Sequence, residues 1–344
     1  MGSAKRRTDK RPTIRDVAVA AGVSKSLVSR AFVEPRRVGA DSLEKIMAAA
    51  TELGFRPSWS ARTLNNANGG FTGIVVADLY SAALAPIVIG ASRRLDEAGH
   101  EVLLSSASLS EPGSDAVLEP ASIAFLGDLR PAQLLIVGAV LDMSALSAFA
   151  ARVPTVVAGA HDVDIPSIAE VFTNDERGLE LSIEHLISFG HRRIAHLAGI
   201  GAVGASRASA YQCAMTASGL ADEIRVEQAD FEERAGFQAM RRLLASAEPP
   251  TAITAAGDPA ALGAIAAIRE AGADVAVVGY GNTPAAAFHL ADLTSVEPAN
   301  QGIGAQAAEV LLAGQPEPGE PMRQVRVDPT LVVRSSSQRG AQRG

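Results

Sequence analysis

The chain has 344 residues, 47% of them apolar and only 4% aromatic, and a formal net charge of −7. No apolar run of about 18 residues occurs, so no membrane-spanning helix is expected, and no apolar stretch follows the basic start M-G-S-A-K-R-R, so no secretory leader is expected. Cys213 is the single cysteine, which excludes an internal disulfide and fits a reducing, cytoplasmic setting. The charge is uneven. Residues 1–66 hold 13 Lys/Arg against 6 Asp/Glu (+7), and the remainder holds 18 against 32 (−14). A basic head on an acidic body points to a nucleic-acid-binding module joined to another domain.

Residues 1–12 form a polar basic tail. Thr13 to Phe32, T-I-R-D-V-A-V-A-A-G-V-S-K-S-L-V-S-R-A-F, then reads as two short helices with a tight turn. Ile14, Val17, Ala18 and Ala21 make the buried stripe of the first, and Thr13 with Asp16 resembles a capping box. Gly22 breaks the pattern and Ser24 can cap the second helix. On that helix Lys25, Ser26, Ser29 and Arg30 share one arc, while Leu27, Val28, Ala31 and Phe32 share the other. This is helix-turn-helix patterning, in which the second helix enters the DNA major groove. An ordinary helical hairpin is the plainer alternative. A third helix is expected after V-E-P-R-R-V-G-A, capped by Asp41, with Glu44 at the box position. Its buried face would be Leu43, Ile46, Met47, Ala50 and Leu53, and Gly54 would end it. The stretch F-R-P-S-W-S-A-R-T-L-N-N-A-N-G-G, residues 55–70, reads as a linker with a short polar helix that needs a partner to fold.

T-I-R-D-V-A, A-G-V-S-K-S-L-V-S-R, L-G-F-R-P and A-R-T-L resemble, in order and spacing, the headpiece and hinge of the LacI/GalR family of bacterial transcription repressors. The resemblance implies that Lys25, Ser26 and Arg30 reach base edges, and that Thr13, Ser24, Ser29 and Arg62 belong to the same DNA-contacting set. It also implies a hinge helix over Ser58 to Asn66 in the minor groove, with Leu64 as the wedge that kinks the duplex. Two positions depart from the family pattern: Leu27 stands where threonine is usual, and Trp59 where a small or polar residue is usual.

From Phe71 the texture changes. G-I-V-V-A-D-L reads as a buried strand, Ala91 to Gly99 as a helix, and E-V-L-L-S-S, L-L-I-V-G-A and T-V-V-A-G-A as further strands, with a helix over Leu141 to Arg152. A second set follows: strands in R-R-I-A-H-L-A-G, R-V-E-Q-A-D-F, A-I-T-A-A-G-D and V-A-V-V-G-Y, and helices over Arg207–Ser218, Glu233–Ala245 and Pro259–Ala271. Short apolar runs alternating with amphipathic helices mean parallel sheets with crossover helices. Two such lobes suggest a cleft between them, with ligand at the carboxyl ends of the strands. H-L-I-S-F-G-H-R-R-I-A-H-L-A-G, A-A-L-G-A-I-A-A-I-R-E-A-G, V-V-G-Y and L-T-S-V resemble the effector half of the same family. The fold class expected is therefore α/β with an N-terminal all-α helix-turn-helix headpiece and a two-lobed, periplasmic-binding-protein-like effector domain.

Asp78, Arg207, Phe231 and Asp258 fall at or just past strand ends, and Asn174, Asp175 and Asn282 fall in connecting segments. Charges and an aromatic ring converging on a cleft would bind a small polar ligand. The effector-binding set is taken as Asp78, Asn174, Arg207, Phe231, Asp258 and Asn282, with the family resemblance favouring Arg207, Asp258 and Phe231. Several family features are absent. L-Y-S-A-A-L-A-P replaces an aromatic-rich turn after Asp78, Gly281 replaces an aspartate, Gly257 an asparagine, and Q-L-L-I the run D-G-[IL]-I. Gly199-Ile-Gly201-Ala-Val-Gly204, with Glu227 on the next strand, also matches a dinucleotide fingerprint. The alternative function is thus a nucleotide-dependent oxidoreductase using the Gly199–Gly204 loop. A solute-binding protein would need a leader. The histidines show no metal spacing and are expected in surface or capping positions.

The domains expected are 1–57, a headpiece with its basic tail; 58–70, hinge helix and linker; 71–337, a two-lobed effector-binding and dimerisation domain; and 338–344, a tail. The function expected is a non-enzymatic, ligand-responsive repressor. It would bind a palindromic double-stranded operator as a homodimer, with a sugar or related metabolite as effector and no cofactor, metal or membrane partner.

Overall fold

The computed structural model describes residues 12–33, 35–55, 71–107, 117, 120–140, 144–161, 163, 165, 167–314 and 323–338. The chain splits into two units, Met1–Gly70 and Phe71–Gly344.

The first unit contains α1 (Ile14–Ala21), α2 (Lys25–Val33), a single 3-10 turn at Pro35–Arg37, and α3 (Ala40–Leu53). The Thr13 backbone N–H and hydroxyl both donate to Asp16 Oδ2 at 2.7 Å, which fixes the start of α1. Gly22 adopts φ 66°, a left-handed conformation that ends the helix cheaply only for glycine. Ser24 Oγ then accepts the Leu27 N–H at 3.2 Å and opens α2. Val17, Ala18, Val28, Ala31, Val38, Ile46, Ala49 and Ala50 are buried together, and the Phe32 and Phe55 rings meet with centroids 5.6 Å apart. The third helix departs from expectation in two ways. Gly39, not Asp41, precedes its first residue, and Asp41 lies in the first turn, where its charge suits the helix dipole. Met47 and Leu53 are exposed, and Ala49 takes the buried place. Two short helices cover only a narrow stripe of a third, so the apolar positions at its margins stay in solvent.

The second unit holds two six-stranded sheets. Lobe 1 begins with β1 (Phe71–Val76), α4 (Ala85–Glu97), β2 (Glu101–Ser106), α5 (Pro120–Leu129), β3 (Gln133–Val137), α6 (Ser144–Ala150), β4 (Thr155–Ala158) and β5 (Ile168–Thr173). Lobe 2 follows with α7 (Asp175–Ser188), β6 (Ile194–Ala198), α8 (Gly201–Ala217), β7 (Arg225–Gln228), α9 (Glu233–Leu244), β8 (Ala252–Ala255), α10 (Asp258–Glu270), β9 (Ala276–Tyr280) and β10 (Thr294–Glu297). The chain then returns. α11 (Asn300–Ala313) packs on the lobe 1 sheet, β11 (Gln324–Val327) joins its edge, and β12 (Thr330–Val332) closes lobe 2. The strand orders are β11-β5-β4-β3-β1-β2 and β12-β10-β9-β8-β6-β7. All pairings are parallel except β10 with β12.

Both sheets are covered on both faces, which is why central strands such as Q-L-L-I-V are buried at every residue. In lobe 1 Leu134 and Ile136 face α5 and α6, while Leu135 and Val137 face α4 and α11. In lobe 2 Ala195 and Leu197 face α9 and α10, while Ile194 faces α7 and α8. The tandem order expected from sequence therefore holds only as far as β10. The chain crosses between lobes three times, at Thr173–Asn174, Pro298–Ala299 and Asp328–Pro329. Each crossing leaves the carboxyl end of a strand, so the carboxyl edges of both sheets meet there.

One helix pair in each lobe approaches to near backbone contact. A Cβ on Gly304 of α11 would lie 2.0 Å from the Ile87 carbonyl of α4, and one on Gly263 of α10 would lie 1.9 Å from the Glu233 carbonyl of α9. The alanine-rich composition reflects these two seams. We predict that Gly304→Ala and Gly263→Ala each destabilise the protein by about 1–3 kcal/mol, because backbone cannot yield as a side chain can. Gly127→Ala on α5, where nothing lies within 4 Å, should instead stabilise by about 0.5–1 kcal/mol. Denaturant melts of the three variants check this.

Candidate DNA interface and effector cleft

In the first unit the α2 arc separates by role. Lys25, Ser26 and Arg30 are exposed, and Ser29 is half-buried. Among the described residues Lys25 and Arg30 form no ion pair, so their donors face solvent. Thr13 and Ser24 are capping residues first, their hydroxyls already engaged, and Ser24 Oγ also lies 3.0 Å from Ser26 Oγ. Leu27 is half-buried and packs against the core, which explains an apolar side chain there. Arg62, Leu64 and the Ser58–Asn66 segment lie outside the described residues.

In the second unit a buried polar cluster sits at the first lobe crossing. Asp175, the first residue of α7, is 6% exposed. Its Oδ1 accepts Arg207 Nε at 3.1 Å and the Tyr280 hydroxyl at 2.6 Å. The Arg207 guanidinium, carried on the second turn of α8, also donates to the Ala256 carbonyl and lies 3.7 Å above the Tyr280 ring. Gly178 on α7 leaves room for that ring, since a Cβ there would lie 2.8 Å from the hydroxyl. Burial opposes the Arg207 charge, but Asp175, with Tyr280 and Asp258, outweighs it. Burial, then the Asp175 charge, hold the Tyr280 phenol well above its usual range against the pull of Arg207, so it remains a donor. Arg207 retains 15% side-chain exposure, and the guanidinium has donors beyond those used here.

The other expected effector residues are placed differently. Asp258 is fully buried: Ser295 donates to Oδ1 at 2.6 Å, and Thr283 donates to Oδ2 through its N–H and hydroxyl. It holds the β9–β10 side of the site together rather than offering a free carboxylate. Asn174 caps α7 by accepting the Arg177 N–H, and its Nδ2 donates to Asp328 at 2.8 Å, joining the first crossing to the third. Asn282, at φ 41°, is held by Ser295, Glu297 and Arg334. Asp78 accepts the Tyr80 N–H at 2.7 Å just past β1. Phe231 packs its ring against Gly199 and Gly257. Sequence reasoning did not single out Tyr280, although an aromatic with a polar tip closing V-V-G-Y was the signal. A cavity of about 240 Å³ lies on another flank of α8, lined by Phe172, Asp175, Glu176, Ser209, Cys213 and Arg326 among others. Asn174 is the one member of the expected set on its wall.

The glycine-rich loop has its own explanation. A Cβ at Gly199 would sit 2.4 Å from the Phe231 ring, and one at Gly204 would sit 2.3 Å from the backbone of Gly199. Gly201 takes φ 67° at the start of α8. The three glycines thus serve an aromatic contact, a left-handed residue and a close helix–strand approach. Glu227 is tied to Arg242 at 2.6 Å instead of facing a ribose site. The oxidoreductase alternative finds no support. Among the described residues no group of His, Cys, Asp and Glu could hold a metal, and no helix is long and apolar enough to cross a membrane.

The surface role expected for the histidines fails for His191 and His196, which are buried, although His191 does lie at a helix end, its N–H donating to the Leu186 carbonyl of α7. His196 lies in β6 beneath the cluster, stacked on Tyr211 at 5.2 Å, with Nδ1 2.9 Å from Thr254 Oγ1 and, among the described residues, no partner for Nε2. Burial, helped by Arg207, lowers its pKa to about 3. Below an unfolded-state pKa of about 6.5 the unfolded chain binds a proton that the folded chain excludes. Stability is therefore expected to fall by roughly 1 kcal/mol per pH unit from about 6.5 towards 3. His196→Phe should flatten that slope in melts between pH 7 and 4.

Comparison with known proteins agrees with this architecture. Residues 13–58 match the model of bacterial regulatory proteins, lacI family, and residues 183–337 match the periplasmic binding protein-like domain. The lactose operon repressor of Escherichia coli K12 is 31% identical over 308 residues, 87% of this chain and 84% of its own. The transcriptional repressor PurR of Klebsiella pneumoniae is 28% identical over 333 residues, 94% and 96% of the two chains. Among solved structures, the lac repressor dimer bound to operator and the anti-inducer ONPF superposes with a TM-score of 0.82, at 27% identity over 96% of this chain and 99% of the other. The regulator CelR in complex with cellobiose gives 0.67, at 27% identity over 95% and 100%. Two ordered units, a helical one patterned for DNA and a two-sheet one patterned for a ligand, match these proteins almost end to end: the chain belongs to the LacI family of bacterial regulatory proteins.

Proposed function

We propose that the chain is a ligand-responsive transcription repressor. Its DNA-contacting residues are Lys25, Ser26 and Arg30 on α2, with Ser29, Thr13 and Ser24 beside them and Arg62 and Leu64 in a hinge over 58–70. The observation that carries the reading is an α2 whose apolar arc is packed while its cationic arc is solvated, in a chain that also holds the Asp175–Arg207–Tyr280 cluster at a lobe crossing. A helix with two uncommitted cations on one edge suits major-groove entry. Working boundaries are 1–57 for the headpiece, 58–70 for the hinge and 71–337 for the effector domain. The lac repressor dimer on operator supports a homodimer on a palindromic site. Exposed Leu103 and Leu104 on the edge strand β2 are a surface that a second copy would cover.

The effector is a small polar molecule with an anionic or hydroxyl-rich face, met by the open donors of Arg207. The CelR–cellobiose complex favours a sugar as the class. Asp78 and Phe231 line the approach, and Asp258, Asn174 and Asn282 hold the walls.

The experiment is selection of bound duplexes from a random pool by the full chain, followed by a thermal-shift screen of sugars and sugar phosphates. Arg30→Ala is expected to cost about 1–3 kcal/mol per half-site and to relax preference at one base pair. Equal weakening on all sequences would assign Arg30 to phosphate alone. Arg207→Ala would leave the Asp175 charge buried without its cation, at about 3–5 kcal/mol. Arg207→Lys is therefore the cleaner test. It should keep operator affinity and lose the response to the ligand found in the screen, and unchanged ligand binding by calorimetry would move the site elsewhere.

A further inference from the structure

We propose that Glu297 is a positioning residue that couples the cleft loop after β9 to the middle lobe crossing and, through it, to lobe 1. This rests on the reading above, in which a ligand in the cleft alters how the lobes are held.

Glu297 ends β10, paired opposite Thr330 of β12, so its backbone is fixed. Its two carboxylate oxygens serve two different segments. Oε2 accepts Asn282 Nδ2 at 2.9 Å, and Oε1 accepts the Ala299 N–H at 3.1 Å. Both partners are non-glycine residues in left-handed conformations, Asn282 at φ 41° and Ala299 at φ 56°. Such residues persist only where their surroundings over-determine them, and here one carboxylate grips both.

The path continues on either side. Upstream, the Asn282 N–H donates to Ser295 Oγ at 2.9 Å, Ser295 donates to the buried Asp258, and Arg334 Nη2 donates to Asn282 Oδ1 at 2.8 Å. Downstream, Asn300 Nδ2 donates across the crossing to the Ala83 carbonyl of lobe 1 at 2.9 Å, just before α4. Pro298 has a fixed φ, and its carbonyl accepts the Thr173 hydroxyl of the first crossing at 3.4 Å. Pro298 keeps only ψ to turn about, Ala299 has both of its dihedrals, and the Ala299 amide is the one that Glu297 holds. A ligand that moves the 281–283 loop withdraws Asn282 from one oxygen and loosens the grip on the other. The lobe angle then changes at Ala299. The device is a two-ended clamp, and its chemistry needs a carboxylate: glutamine has one acceptor oxygen and can serve one end.

The test is residue-resolved amide exchange by NMR on the full chain, with neither ligand nor DNA, so that its outcome is independent of the proposed function. Glu297→Ala is expected to raise exchange at the Ala299 amide roughly tenfold, the effect of losing one net hydrogen bond, and Glu297→Gln to fall between it and the native protein. Asn282→Ala is expected to raise exchange at Ala299 several-fold although its hydrogen bond goes to Glu297 and not to Ala299. Thr283→Val removes a neighbouring hydrogen bond from the same loop and should leave Ala299 at its native rate. Protection of β6 amides in every variant shows that the fold persists. Native protection of Ala299 in Asn282→Ala overturns the proposal, and so does an equal rise in Thr283→Val, which would mean general loosening.

Discussion

The second unit depends on a carboxylate placed where the chain first leaves lobe 1. Asp175 must be buried because α7 starts against the sheet of lobe 2, and a buried carboxylate is costly unless its charge is met. Arg207 meets it from α8 and Tyr280 meets it from β9. Three elements distant in sequence are therefore fixed to one another by the need to solvate one charge. The same need leaves Arg207 oriented, charged and incompletely satisfied, which is the condition of a binding group. Structural and proposed ligand roles coincide here: the side chain proposed to meet the ligand is also the one that neutralises the crossing.

The pieces that were legible in sequence were those governed by local rules. Thr13, Gly22 and Ser24 announce caps and a turn through backbone chemistry that works within four residues, and the structure has each in that role. Buried strands such as L-L-I-V and A-V-V-G-Y were equally plain, because sheets covered on both faces need unbroken apolar runs. Helix α5 was not read, and α4 was started six residues late, at Ala91 instead of Ala85. Helices α7 and α11 were not read either, and α8 was started six residues late, at Arg207 instead of Gly201. Their first turns are rich in glycine, alanine or charge, and what holds them is a close partner elsewhere in the chain. β5 was hidden by Glu170, a charge inside I-A-E-V-F-T that the Val163 N–H and Gln324 satisfy from outside the strand.

For the expected effector residues, position was legible in sequence and side-chain engagement was not. Position past a strand end predicts proximity to the carboxyl edge, and all six expected residues are there. It does not predict whether a side chain is already used. Asp258, Asn174 and Asn282 spend their hydrogen bonds within the protein, while Tyr280 and Glu297, hidden at strand termini, turn out to organise the neighbourhood. Only the tertiary hydrogen-bond inventory makes that distinction.

The return of the chain to lobe 1 has a consequence for biosynthesis. Lobe 2 is nearly complete once residue 297 has been made, wanting its edge strand β12 and the 334–337 turn that packs on Val277 and Thr294. Lobe 1, although its first five strands are translated earlier, lacks α11 over one face of its sheet and β11 along its edge until residues 300–327 have been made. The half that is begun first is therefore finished after the other, and a nascent chain carries a face covered by α4 alone until α11 is made. Ribosome-associated chaperones would meet lobe 1 rather than lobe 2, and premature termination after β10 would release a product with one lobe nearly whole and the other open.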